Sequence, residues 1–287
     1  MPDSGFAMET LAALIPFESL QPQFMRRALL GLLLLAPITS VMGAQVVNLR
    51  MAFFADAISH SVFAGVAVGI LAGIDPQWST VALALAIGLG VTACQRRVAL
   101  SADSVIGVFF SGVVAFGLAA ASRDRLIARH AQSFLYGDVL TLGDGELALL
   151  ALALALVAVF QIAGYNKMLY IGVNPALASA HGIGVGACQY VFSVLLALTA
   201  VLAVWTVGVF LVTALLVLPA AAARNVTRSA VGMFWWALAV SLISAVGGLL
   251  VSAQTWAGTA TGPTVVLVAF ACFLATVPFG RKRARQA

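Results

Sequence analysis

The chain has 287 residues, of which 62% are hydrophobic and only 9% charged, with a formal net charge of +5 at pH 7. A soluble domain carries about 25% charged residues, so this composition excludes a soluble globular enzyme and points to an all-α polytopic membrane protein. The basic cluster Arg281, Lys282, Arg283 and Arg285 suits an anchor at an anionic membrane face better than a nucleic-acid patch.

Residues 1–27 read as an N-terminal interfacial segment. Asp3 and Glu9 precede its first apolar stretch, which Pro16 breaks, so it is not read as a secretory signal. Nine apolar runs follow, at 28–47, 51–73, 78–95, 104–121, 147–164, 186–203, 205–222, 234–252 and 263–279. Each is long enough to cross a bilayer. The stretch 186–222 would make a helix of roughly 55 Å, too long for a ~30 Å core, so it is divided near Trp205–Gly208. Residues 28–279 thus form a transmembrane domain, and 280–287 a basic tail. With nine crossings the ends lie on opposite sides. Placing the C-terminus in the cytoplasm puts ten of the 15 basic residues inside: Arg50, Arg96, Arg97, Lys167, Arg224, Arg228 and the four of the tail. The excess of Lys and Arg inside sets that orientation.

The second run holds the two ionisable side chains found within the nine runs, Asp56 and His60. A carboxylate at the centre of a membrane helix costs about 3 kcal/mol on the insertion scale, so it should face protein or a watered path. Spaced four apart, the two share a helix face. A carboxylate and an imidazole on adjacent turns are natural ligands for a divalent transition metal, with Ser59 a candidate third oxygen. Alternatively, the pair is a hydrogen-bonded fastener between helices. Ala57, Ser61, Gly65, Gly69 and Gly73 follow at four-residue spacing, a small-residue stripe that lets another helix approach closely.

Two connections carry further signals. In the loop 123–146, His130 and Asp138 are candidates for cation capture at an entrance, or ordinary solvated side chains. In the segment 172–185, Asn174 can cap a helix begun by Pro175, continued through Ala176, Ala178 and Ala180, and ended by Gly182 and Gly184. A short helix between two crossings, without catalytic groups, suits docking to a soluble partner. Cys94, Cys188 and Cys272 lie in or beside apolar runs without CxxC spacing, so neither a disulfide framework nor a zinc knuckle is indicated. The chain has no GxxxxGK[ST], HExxH or GxSxG motif. If ATP drives it, another polypeptide supplies the motor.

Five stretches in register resemble the permease subunits of the ABC-3 family, the zinc, manganese and iron ABC importers. They are RMAFFADAISHSVFAGVAVG (50–69), SFLYGDVL (133–140), NPALASAHGIGV (174–185), VGVFLVTALLVLPAAAARN (207–225) and TGPTVVLVA (261–269). The resemblance implies the fold of the vitamin B12 and siderophore importers, with a path along a homodimer axis. It also implies two cytoplasmic ABC ATPase subunits, an extracytoplasmic metal-binding protein, and zinc or manganese as transported ion rather than permanent cofactor. Asp56 and His60 fall on the family's Asp-Ala-x-Ser-His motif and inherit a role as path residues, and 176–184 inherits the docking role. On this reading the chain sits in a bacterial inner membrane and is not itself an enzyme. A proton-coupled secondary transporter and a non-transporting scaffold are the competing expectations.

Overall fold

The structure, a computed structural model, describes residues 22–123, 127, 139–254 and 258–284. Ten α-helices follow one another: α1 Gln23–Asn48, α2 Ala52–Ala72, α3 Pro76–Gln95, α4 Ala102–Arg123, α5 Asp144–Val173, α6 Pro175–Ala180, α7 Val185–Val207, α8 Val209–Val226, α9 Ala230–Ser252 and α10 Thr261–Ala284. Eight are long and apolar enough to cross a membrane. With the shorter apolar α8, they correspond one to one to the nine runs of the sequence. Among the described helices, the six-residue α6 is far too short to cross.

Local chemistry explains the boundaries. Asp75 accepts the Gln77 amide at 2.7 Å and Pro76 opens α3; Ser229 caps α9 through the Gly232 amide. The long apolar stretch breaks at Gly208, whose φ of 89° and ψ of 157° lie in a region open essentially to glycine. Two boundaries differ from the sequence expectation. Helix α1 starts at Gln23, directly after the extended Pro22, so residues 23–27 are continuous with the first long helix; residues 1–21 lie outside the described residues. Helix α5 spans 30 residues rather than the 18 of its apolar run. No proline interrupts it before Pro175, and about 45 Å of helix carries α6 beyond a ~30 Å hydrocarbon core.

Helices α1, α2 and α7 are the most buried, whereas α4, α5 and α10 expose most of their surface. Small residues set the closest approaches, as expected where lipid removes any hydrophobic drive between helices. Gly65 on α2 faces the backbone of Thr80 on α3, Gly117 on α4 lies against Phe63, and Gly43 on α1 faces the Leu216 carbonyl on α8. Ser79 adds a 2.8 Å hydrogen bond to the Gly65 carbonyl. Buried hydroxyls join other pairs: Thr92 to Ser193, and Ser241 to the Ala36 carbonyl.

Contacts between helix ends sort the bundle into two poles. Arg27 pairs with Asp144 at 3.0 Å, so α1 and α5 start at one pole. At the other, Gly172 near the end of α5 lies against Asn48, the last residue of α1. Asn225 bonds Thr276 and packs on Gly280, which brings the ends of α8 and α10 together. Because α6 follows α5, and α8 descends from the far end of α7, this last pair lies at the pole of α6. The pole therefore gathers Arg50, Arg96, Arg97, Arg224 and Arg228 with the segment 172–185.

Candidate functional site

Helix α2 is almost wholly enclosed. Phe54, Ala55, Ala57, Ile58, Ser59, Ser61 and Val62 are buried, while Phe53, Asp56, His60 and Phe63 form a stripe open to one side. Phe53 is 63% exposed. The side chains of Asp56 and His60 are 29% and 18% exposed, and Asp56 Oδ1 lies 3.7 Å from His60 Nε2. Helical spacing alone brings them onto one face; packing on either side then holds them. From α8, the Thr213 hydroxyl donates to Asp56 Oδ1 at 3.0 Å. From α4, the Phe110 ring stands edge-on to the imidazole at 5.2 Å between centroids, and Phe63 lies on its other flank at 5.8 Å. Aromatic walls of this kind limit the rotamers available to His60.

The chemistry of the pair follows from its geometry. Two ligands each about 2.1 Å from a tetrahedral ion stand about 3.4 Å apart, close to the observed separation. One chain provides only this two-ligand start, since the described residues contain no group of three or more His, Cys, Asp or Glu side chains. Zinc usually takes four ligands. The half-open setting leaves room for the remainder from water or a second chain.

The structure brings together Asp56 and His60 but not Ser59. Ser59 is fully buried and its hydroxyl donates to the Ala55 carbonyl at 2.8 Å, on the packed side of α2 rather than the open stripe. The small-residue stripe also divides. Gly65 and Gly69 pack tightly against α3 and the turn before it, and Ser61 is buried with its hydroxyl on the Ile58 carbonyl. Gly73, by contrast, has nothing within 4 Å of its Cβ position. Its φ of 68° makes it the left-handed cap that ends α2, not a packing residue. His130 and Asp138 lie outside the described residues. Thr213, Phe63 and Phe110 carried no signal of their own in the sequence, because a lone hydroxyl or phenyl in an apolar run is unremarked until its neighbour is known.

The segment 172–185 forms as its residues dictate. Asn174 accepts the amides of Ala176 and Leu177 at 2.9 and 3.2 Å, Pro175 opens α6, and Gly182 adopts φ of 76° after it. Ala178 is buried, whereas Leu177, Ala180 and His181 are exposed. The face turned to solvent is short, small and partly apolar.

Among the described residues, a bundle of nine apolar helices with a polar pair on an open stripe defines a multi-pass membrane protein. Residues 21–280 match the ABC 3 transport family, and the chain belongs to it. Among its relatives, the zinc uptake system membrane protein ZnuB of Haemophilus influenzae is 32% identical over 93% of this chain and 99% of its own length. The manganese transport system membrane protein MntC of Listeria innocua is 29% identical over 92% and 93%. In fold, the chain is similar to PsaBC from Streptococcus pneumoniae, with a TM-score of 0.78 at 23% identity over 98% of this chain and 99% of that one. It is also similar to a metal-chelate type ABC transporter in an inward-facing conformation, with a TM-score of 0.71 at 14% identity over 95% and 97%.

Proposed function

We propose that this chain is the permease subunit of an ATP-driven importer of divalent transition metal, zinc or manganese, in a bacterial inner membrane. The observation that carries the reading is the Asp56–His60 pair, 3.7 Å apart on the open stripe of an otherwise enclosed helix. Two copies related by a two-fold axis place two carboxylates and two imidazoles around a shared path. That meets the ligand number one chain lacks. Such a site is best kept weak, because an ion that binds too tightly does not leave. Mixed oxygen and nitrogen ligands suit zinc and manganese alike, and the relatives' names point to the same two metals.

The segment 172–185, exposed and clustered with basic residues at one pole, is the docking site of a cytoplasmic ABC ATPase. An extracytoplasmic metal-binding protein delivers to the opposite pole. The C-terminal tail then lies in the cytoplasm, on the side where Arg and Lys collect. The reading is tested in proteoliposomes containing the permease with its ATPase and binding protein. Uptake of radioactive zinc or manganese requires ATP and survives collapse of the proton gradient by a protonophore. Uptake that follows the gradient with no ATPase present contradicts it and returns the pair to proton-coupled transport.

A further inference from the structure

We infer that the last turn of α5 hands movement of the docking helix to the turn between α1 and α2, so that Gly172 and Asn48 are positioning residues for Asp56. The inference rests on the proposed docking role of α6. Asn174 is at once the end of α5, its amide bonded to the Tyr170 carbonyl, and the cap of α6, its side chain holding two α6 amides. The two helices therefore share one fixed joint, and a push on α6 turns the end of α5. Two residues back, Gly172 has no side chain, and a Cβ there would stand 3.4 Å from the Asn48 carbonyl oxygen and 3.9 Å from Asn48 Cβ. The two helix ends therefore approach with no side chain from residue 172 between them.

Beyond Asn48 the chain turns sharply. The Met51 amide bonds the Val46 carbonyl, and Arg50 sits at φ 57°, a left-handed conformation that glycine normally takes at this helix-ending position. Helix α2 starts at Ala52, and Asp56 lies one turn further along. Beside this turn is a cavity of about 320 Å³ lined by Asn48, Arg50, Thr92, Gln95, Gly172 and Ser193 among others. Space for several waters beside the turn gives it somewhere to move. The order of parts is docking helix, shared joint, backbone contact, strained turn, path carboxylate.

The test compares Gly172→Ala and Gly172→Leu in the full complex with its ATPase. An alanine methyl fits at ordinary contact distance, whereas leucine extends into the adjoining cavity and takes up the space into which the turn would move. The relay predicts that Gly172→Ala keeps uptake, while Gly172→Leu loses metal transported per ATP hydrolysed by roughly tenfold, within the range a coupling element can command. In Gly172→Leu the ATPase stays bound and continues to hydrolyse. A Cβ–Cβ separation of 3.9 Å also suits a disulfide. Asn48→Cys with Gly172→Cys, in a chain lacking Cys94, Cys188 and Cys272, should transport equally well oxidised and reduced, because the contact moves as one body. Normal coupling in Gly172→Leu, or loss of uptake on oxidation that reductant restores, overturns the relay. Detachment of the ATPase from Gly172→Leu overturns it too, since residue 172 would then serve docking itself. Failure of the docking reading shows separately, as an ATPase that remains bound when the exposed Leu177 and Ala180 are replaced by charged residues.

Discussion

At the scale of single residues, the glycines separate three physical roles that look alike in the sequence. A Cβ on Gly65 would stand 2.6 Å from the Thr80 Cα, so Gly65→Ala must push α2 off α3 at about 1–3 kcal/mol. Gly73→Ala meets no neighbour but takes a left-handed φ, at about 1 kcal/mol. Gly107, in α4, has open space and ordinary φ, and alanine there should stabilise by about 0.5–1 kcal/mol. Thermal midpoints of the three variants in one detergent should therefore fall, in rising order, as residue 65, residue 73, wild type, residue 107. A different order means that packing of α2 on α3 is not the constraint. Thr213 offers a second residue-level prediction. Its hydroxyl orients the Asp56 carboxylate, and removing such an outer partner weakens metal binding about 10–100-fold. Thr213→Val should raise the metal concentration for half-maximal uptake by roughly tenfold, with assembly unchanged. An unchanged concentration dependence would show that Asp56 needs no such support.

At the scale of elements, most of the bundle was legible because membrane helices announce themselves by apolar length. The nine runs and the break before α8 could be read from hydropathy and one glycine. The ends of α5 could not. Hydropathy marks where lipid contact ceases, while a helix continues until something breaks it, and nothing does between Gly143 and Pro175. The site was half legible for a related reason. Asp56 and His60 stand out because charge is rare in lipid, but Thr213 and Phe110 belong to other helices and are placed by tertiary packing alone. Ser59 misled because adjacency in sequence turns a side chain by about 100°, here into the core. Helix α6 was readable from its capping residues. Its exposed face gives the prediction at this scale: Leu177→Glu with Ala180→Glu should abolish copurification of the ATPase while the permease keeps its monodisperse profile in detergent. Retained copurification and normal uptake would remove the docking role from this segment.

At the scale of the whole molecule, the two poles fix an arrangement that a membrane must respect. Arg27 and Asp144 mark one pole; Arg50, Arg96, Arg97 and the end of α10 mark the other. With the basic pole in the cytoplasm, a cysteine at position 128 should react with an impermeant reagent in intact cells and one at position 286 should not, in a background lacking the three native cysteines. The reverse pattern inverts the orientation and puts α6 on the wrong side of the membrane for an ATPase. What the bundle exists to hold, on this account, is one polar pair in an apolar body. The most direct measurement is therefore radioactive zinc and manganese uptake by cells carrying Asp56→Asn with His60→Ala at matched expression. Asparagine keeps the shape and the Thr213 hydrogen bond without the charge, and alanine removes the nitrogen ligand. The account predicts an assembled complex that still binds its ATPase and has lost most uptake of both metals. Near-normal uptake of zinc and manganese by that variant would contradict it, and would leave the pair as a fastener between α2 and α8.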